Sequence, residues 1–259
     1  MTIEILYQIP LWIIFITMVT ILLAASYFFY YIGQKAQKQH PERNDSINEL
    51  LPTSIFGLLA LLLGFSFSMS IARYDTRKTL SMKEANAIGT TYLRTDNLPE
   101  NTGFQIRQLL KDYTKHRLIF FEHQRIGLKG YNQRTQDLQN QIWKLAAGVT
   151  RTDRGPLIAI FMQSLNEMID LSSERAFASE NHVPEIVHHM IFLIAFIGLS
   201  SLSYVSGFKN QRRLAPVFLS LLFPLVIALI LDLDRPGRGL IRVTQTNMLE
   251  LYDSIHNQE

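Results

Sequence analysis

The sequence predicts an all-α membrane protein: four transmembrane helices in two hairpins flanking a helical extramembrane insert. Three observations lead there. The chain has 259 residues with 25 basic and 22 acidic side chains, yet none of these charges falls in 11–32, 52–72, 186–208 or 214–231. Each stretch meets the roughly 17–25 apolar residues that cross a bilayer as a helix. The long polar segment between the second and third stretches repeats its apolar residues at three-or-four spacing, and no alternating strand pattern occurs anywhere. The mean hydropathy of +0.09 and the 18% charged content therefore blend span-forming chain with ordinary water-exposed chain. A simple soluble enzyme does not fit that mixture.

The elements follow in order. Residues 1–72 form the first transmembrane hairpin. Its first span begins near Trp12 and ends in Tyr27, Phe28, Phe29, Tyr30 and Tyr31, aromatic residues suited to the two membrane interfaces. No Lys or Arg precedes it, and its apolar run exceeds a signal-peptide core, so it reads as an uncleaved span. Between Pro52 and Pro99 there is no proline, which predicts that the second span continues into the insert as one long helix.

The insert occupies 73–185 and reads as helix throughout. Ile106, Leu109, Leu110, Tyr113, Phe120 and Phe121 share one helical face. Leu138, Ile142, Leu145 and Val149 share another, as do Leu157, Phe161, Leu165, Met168 and Ile169. Breaks are expected at Asp96-Asn97 before Pro99, at Gly127 and Gly130, and at Thr152-Asp153-Arg154-Gly155-Pro156. The second hairpin is 186–233, opened by Pro184 and carrying Pro224, which should bend its last helix. Residues 234–259 are a C-terminal tail.

Composition removes several chemistries. The chain has no cysteine, which excludes disulfides, thiolate metal sites and a cysteine nucleophile. A net charge of +3 without a basic, aromatic-interleaved run gives no nucleic-acid footprint. Glu185-x-x-His188 occurs once, whereas di-metal bundles need two such pairs with further Glu residues. No phosphate loop, metalloprotease helix or nucleophile elbow is present. The expectation is no catalytic residues, no metal and no cofactor.

Three features remain as candidates. On the second span Ala60, Gly64, Ser68 and Ala72 recur every four residues, a small-residue ladder that lets membrane helices approach closely. Beside it Leu59, Leu63, Phe67 and Ile71 form an apolar line that would make a hydrophobic constriction around an oligomer axis. The plainer alternative, and the one favoured by pattern alone, is that both lines only pack against the other spans. The third span ends in Ser200, Ser201, Ser203 and Ser206, suited to a polar path or to interhelical hydrogen bonds. A juxtamembrane collar comprises Arg73, Arg77, His188, Asp232, Asp234 and Arg235, with Tyr74, Asp75, Glu185, His189 and Arg238 nearby. Its charges suit ion pairs or a charged mouth.

Leu58 to Phe67, then Arg73-Tyr74-x-x-Arg77-Lys78, Glu84-Ala85-Asn86-Ala87-Ile88, Asp170, Arg175, Pro184 and Asp232-Leu233-Asp234-Arg235-Pro236-Gly237-Arg238-Gly239 follow one another. Over most of the chain this combination resembles the bestrophin-like family of bacterial membrane proteins, distant relatives of the bestrophins. The resemblance implies a multi-pass protein of the bacterial inner membrane and a homo-oligomer, pentameric as in bestrophin ion channels. It also implies passage of small inorganic ions, anions in most bestrophins, with the second span lining the pore. Asp234-Arg235-Pro236-Gly237 matches the turn after the bestrophin fourth span, with Gly237 in place of Phe. No acidic calcium clasp follows it, so calcium gating is not implied.

Orientation is contested within the sequence. Lys35, Lys38, Arg43, Lys209, Arg212 and Arg213 lie in the short loops, against Arg235, Arg238 and Arg242 across the membrane. That balance puts the insert outside the cytoplasm. Adding Arg73, Arg77, Lys78, Lys83 and Arg175 reverses it, and the resemblance also favours a cytoplasmic insert. Two functions follow for a protein whose first partner is the lipid bilayer: an oligomeric ion channel, or a non-conducting membrane-anchored interaction or sensing module.

Overall fold

The computed structural model describes residues 7, 9–39, 46–122, 128–235 and 239–257. Eight α-helices are seen among them: α1 Leu11–Gln39, α2 Ser46–Arg94, α3 Glu100–Glu122, α4 Leu128–Thr152, α5 Pro156–Glu180, α6 Glu185–Phe208, α7 Leu214–Asp234 and α8 Thr246–His256. A 3-10 turn, Thr95–Asn97, follows α2. Four segments are long and apolar enough to span a membrane, Leu11–Gln39, Leu50–Asn97, Pro156–Phe208 and Leu214–Asp234. Their charge-free parts fall in α1, α2, α6 and α7. The protein is all-α and multi-pass.

α2 is 49 residues long, about 74 Å at the helical rise. This is more than twice the roughly 30 Å of a hydrocarbon core. Pro52 lies inside it, in the second turn, where few helical N–H bonds are lost. The other boundaries follow their turn chemistry. Asp153 accepts the Gly155 N–H at 2.7 Å and Pro156 opens α5. Pro184 caps α6, and α7 stays helical through Pro224. Gly130 is a correction: it lies within α4, because a single helical glycine costs only about 1 kcal/mol. Gly127 lies outside the described residues.

The chain separates into two compact units. The first draws on Met1–Ala72, His182–Arg235 and Gly239–Ile241. Its core holds Ile14, Met18, Leu59, Ile191, Ala195, Ile227 and Leu231. α1 and α6 meet backbone to backbone. A Cβ on Gly207 would fall on the carbonyl of Tyr30, and one on Gly33 would fall on the carbonyl of Tyr204. Ser203 donates to Ser26 at 3.1 Å along the same seam, so this serine of the third span serves helix packing.

The second unit draws on Arg73–Asn181, Pro236–Arg238 and Arg242–Glu259. Ile106, Leu110 and Tyr113 of α3, Leu138 and Ile142 of α4, and Phe161, Leu165 and Met168 of α5 are fully or nearly fully buried. Met248 and Ile255 of α8 complete this core. Leu157, expected on the buried face of α5, is 54% exposed and Ile158 is buried instead. Ile158, Phe161, Leu165 and Met168 keep the spacing of one face, and Leu157 falls off it. The side chains of Phe120 and Phe121 lie outside the described residues.

Candidate functional site

α2 carries the membrane candidates. Its intrachain seam is Leu59, Ser66 and Ser70, all buried, with Leu62 and Leu63 half-buried against the same apolar cluster. Leu59 is only 1% exposed, so it faces its own bundle. Phe67 and Ile71 are each 37% exposed. Ala60, Gly64, Ser68 and Ala72 are exposed, and a Cβ on Gly57 or Gly64 would meet nothing within 4 Å. Among the described residues, the ladder around Gly57 and Gly64 thus has open space beside it within the protomer. Of the four candidate spans, Leu50–Asn97 has the smallest buried share, 17% against 28%, 44% and 39%.

The residues expected as a collar have specific structural partners. In the second unit Arg73 donates to Asn181 Oδ1 at 2.6 Å. Arg77 donates to the carbonyls of Ala178 and Asn181 at 3.0 Å each. Arg77 therefore caps the C-terminal end of α5, where carbonyls lack helical partners, and Arg73 adds positive charge beside it, which is favoured there.

In the first unit Asp232 accepts N–H bonds from Leu240 at 3.1 and 3.0 Å and from Ile241 at 2.9 Å. Gly239 makes that turn with φ +151°, and a Cβ there would strike the Asp232 carboxylate. Asp234 Oδ2 accepts the Val183 N–H at 2.7 Å and the Tyr7 hydroxyl at 2.5 Å. The Tyr7 ring stacks on His182 at 4.3 Å and meets His188 edge-on at 6.4 Å. His188 and Arg235 are buried. Arg238 lies outside the described residues. Donors already aimed at both Asp232 oxygens and at Asp234 Oδ2 do not fit a calcium clasp, whose cation needs those lone pairs. Asp234→Ala is expected to cost about 1–3 kcal/mol by orphaning the Val183 N–H, read as a lower melting temperature in detergent.

The insert holds a buried ionic group at its centre. Glu84 is fully buried on α2. Arg117 Nε lies 2.6 Å from its Oε1 and Arg175 donates to its Oε2 at 2.6 Å. Arg175 also donates to Gln245 Oε1 at 2.5 Å, and Ser81 donates to the same oxygen at 3.2 Å. Gln139 donates to the Tyr113 hydroxyl at 3.3 Å. Burial alone would raise the Glu84 pKa, but the Arg117 and Arg175 charges outweigh it and hold the carboxyl below its usual range. Burial pushes the Tyr113 phenol up to about 12. Arg117 escaped the sequence reading, although a signal existed: it continues the Ile106, Leu110, Tyr113 face, where an arginine must have a partner.

The family model for the bestrophin-like domain matches residues 19–248. The chain belongs to the bestrophin-like family. A solved structure of a bacterial bestrophin homolog from Klebsiella pneumoniae is similar at TM-score 0.67 and 14% identity, covering 95% of this chain and 97% of that one. A point mutant of that homolog aligns at TM-score 0.67 and 13% identity, covering 92% and 97%. A structure described as a membrane protein aligns at TM-score 0.69 and 12% identity, covering 93% and 97%. No curated protein matches the sequence. At such identities the likeness concerns the fold, and the bestrophin-like chain shares it over nearly its whole length.

Proposed function

We propose that this bestrophin-like protein is a homo-oligomeric ion channel of the bacterial inner membrane whose α2 helices ring a central axis. The observation that carries this reading is the open face of α2. Gly57, Ala60, Gly64, Ser68 and Ala72 present small residues to the outside of the protomer, on its least covered span. Lipid tails do not reward small residues; a second helix does, because backbones approach closely there. Neighbouring copies would seat on that ladder. Leu63, Phe67 and Ile71 beside it would form a hydrophobic constriction that gates by dewetting. Kinship supports a ring of five, small anions as the conducted species and a cytoplasmic insert.

The test is ion flux in liposomes together with mass in mild detergent. The wild type is expected to run as an oligomer and to pass small ions. Phe67→Ala is expected to raise flux severalfold by widening and wetting the constriction. Gly64→Leu should shift the mass toward monomer, because the bulky side chain holds neighbours apart. A wild-type monomer with no flux overturns the proposal. The cysteine-free chain also allows one cysteine at Asn140 to report, by impermeant labelling in intact cells, the side on which the insert lies.

A further inference from the structure

The five-residue connection between α6 and α7 is Lys209-Asn210-Gln211-Arg212-Arg213, three cations in five positions. The flanking chain, 5–41 and 186–231, contains no Asp or Glu; Glu42 and Asp45 of the other loop on this side lie outside the described residues. Among the described residues neither Arg212 nor Arg213 has a carboxylate within ion-pair distance.

The connection is held in one shape. The Tyr30 hydroxyl donates to the Gln211 carbonyl at 2.8 Å, and Gln34 donates to Asn210 Oδ1 at 3.3 Å. Asn210 takes a left-handed φ of 51°, which asparagine tolerates better than most residues. The Arg213 guanidinium lies 4.2 Å from the Tyr30 ring centre and 5.3 Å from that of Tyr27. These aromatic faces orient the charge without neutralising it. Beneath the loop, the contact of Gly207 with the Tyr30 backbone fixes α6 against α1.

An open cavity of about 560 Å³ lies here, lined by Tyr30, Asn210, Gln211, Arg212, Arg213, Leu214 and Val217. Its flank is apolar and open: Leu214 is 71% and Phe218 64% exposed, one helical turn apart. Arg212 and Arg213, with no carboxylate in ion-pair range among the described residues, thus sit at the end of two membrane spans beside exposed apolar side chains. The geometry points to a binding site for the phosphodiester headgroup of an anionic phospholipid. Arg212 and Arg213 take the phosphate, Asn210 and Gln211 add polar contacts, and Leu214 and Phe218 lie along the acyl chains. Arginine suits the role because its planar fork pairs two donors with phosphate oxygens. The assignment stands whether or not α2 lines a pore.

Native mass spectrometry of the purified protein, titrated with phosphatidylglycerol or with phosphatidylcholine of the same acyl chains, tests it. Phosphatidylglycerol adducts are expected to survive collisional activation that strips phosphatidylcholine. A juxtamembrane Lys or Arg contributes about a fivefold preference for anionic lipid, so Arg212→Ala/Arg213→Ala should weaken retention about 30-fold. Equal retention of the two lipids by the wild type overturns the proposal. So does a folded double variant, verified by its helical circular dichroism, that keeps phosphatidylglycerol as the wild type does. Displacement of the lipid by millimolar inorganic phosphate would assign the site to the free anion and overturn the lipid assignment. If the double variant does not fold, the wild-type lipid contrast and the phosphate competition still decide.

Discussion

Glu84→Ala is expected to destabilise the helical insert strongly. The substitution leaves the Arg117 and Arg175 guanidiniums buried without the carboxylate they share at 2.6 Å. Removing one partner from a buried ionic group costs about 3–5 kcal/mol, because the remaining charge has neither water nor a counter-ion. Marginal stabilities of about 5–15 kcal/mol make that a large fraction of the total. Glu84→Gln keeps the shape and loses the charge, so it should fall between wild type and Ala. Thermal melts followed by circular dichroism in detergent separate the three proteins. A Glu84→Ala melting temperature within a degree or two of wild type would show that the group contributes nothing.

The same carboxylate sets an acid limit. Its pKa in the folded chain lies below the ordinary 4.5, so the folded state binds its proton less readily than the unfolded one does. The stability it contributes is fully present above about pH 4.5. It is lost as pH falls further, through the depressed folded value. Melting temperature should therefore change little from pH 7 to pH 5 on account of this group and drop below pH 4.5. Glu84→Gln should remove that part of the drop.

The second large effect is expected in the membrane unit. Gly207→Ala places a methyl group 2.9 Å from the Tyr30 carbonyl carbon and 3.0 Å from its Cα. Neither contacting atom belongs to a side chain that can rotate away, so α1 and α6 must part along the Ser26–Ser203 seam. The cost should reach about 3 kcal/mol, the upper end of overpacking penalties, with loss of monodisperse protein in detergent. Gly64→Ala is the internal control. Its added Cβ meets nothing within 4 Å in the protomer, and alanine favours helix by up to about 1 kcal/mol. A Gly64→Ala protomer should be as stable as wild type; if both alanines behave alike, close approach of α1 and α6 does not hold the bundle.

The contrast between these glycines explains what pattern reading reaches. The four-residue recurrence of Ala60, Gly64, Ser68 and Ala72 is visible along the chain and marks a face that suits helix contact. Periodicity cannot say which helix supplies the contact. Leu59 and Phe67 sit on one line at multiples of four, yet the helix has 3.6 residues per turn. The line drifts around the axis, so Leu59 enters the protomer's own core and Phe67 leaves it. Gly33 and Gly207 carry no visible pattern, because a close approach is a property of two segments far apart in sequence.

Charged residues show the same division. Arg73, Arg77, Asp232 and Asp234 stand out at the membrane ends because charge there is conspicuous against apolar runs. Arg73 meets the Asn181 side chain, while Arg77, Asp232 and Asp234 meet backbone groups of Ala178, Asn181, Val183, Leu240 and Ile241, and backbone donors and acceptors exist at every position. No motif singles them out. Arg117 was legible in principle, as a cation on an apolar face, but its counter-charge lies on another helix.

The sequence by itself determined the class of this protein: four charge-free runs long enough to cross a bilayer, a helical insert, and membership in the bestrophin-like family. Those are consequences of desolvation and helical period, which act on neighbours along the chain. Tertiary structure alone decided which face of α2 is left open, which glycines hold α1 against α6, and that Glu84 answers two arginines. It also decided that Arg213 rests on the Tyr27 and Tyr30 rings of the first span. Each of these depends on which atoms meet across tens to hundreds of residues, and only the folded chain brings them together.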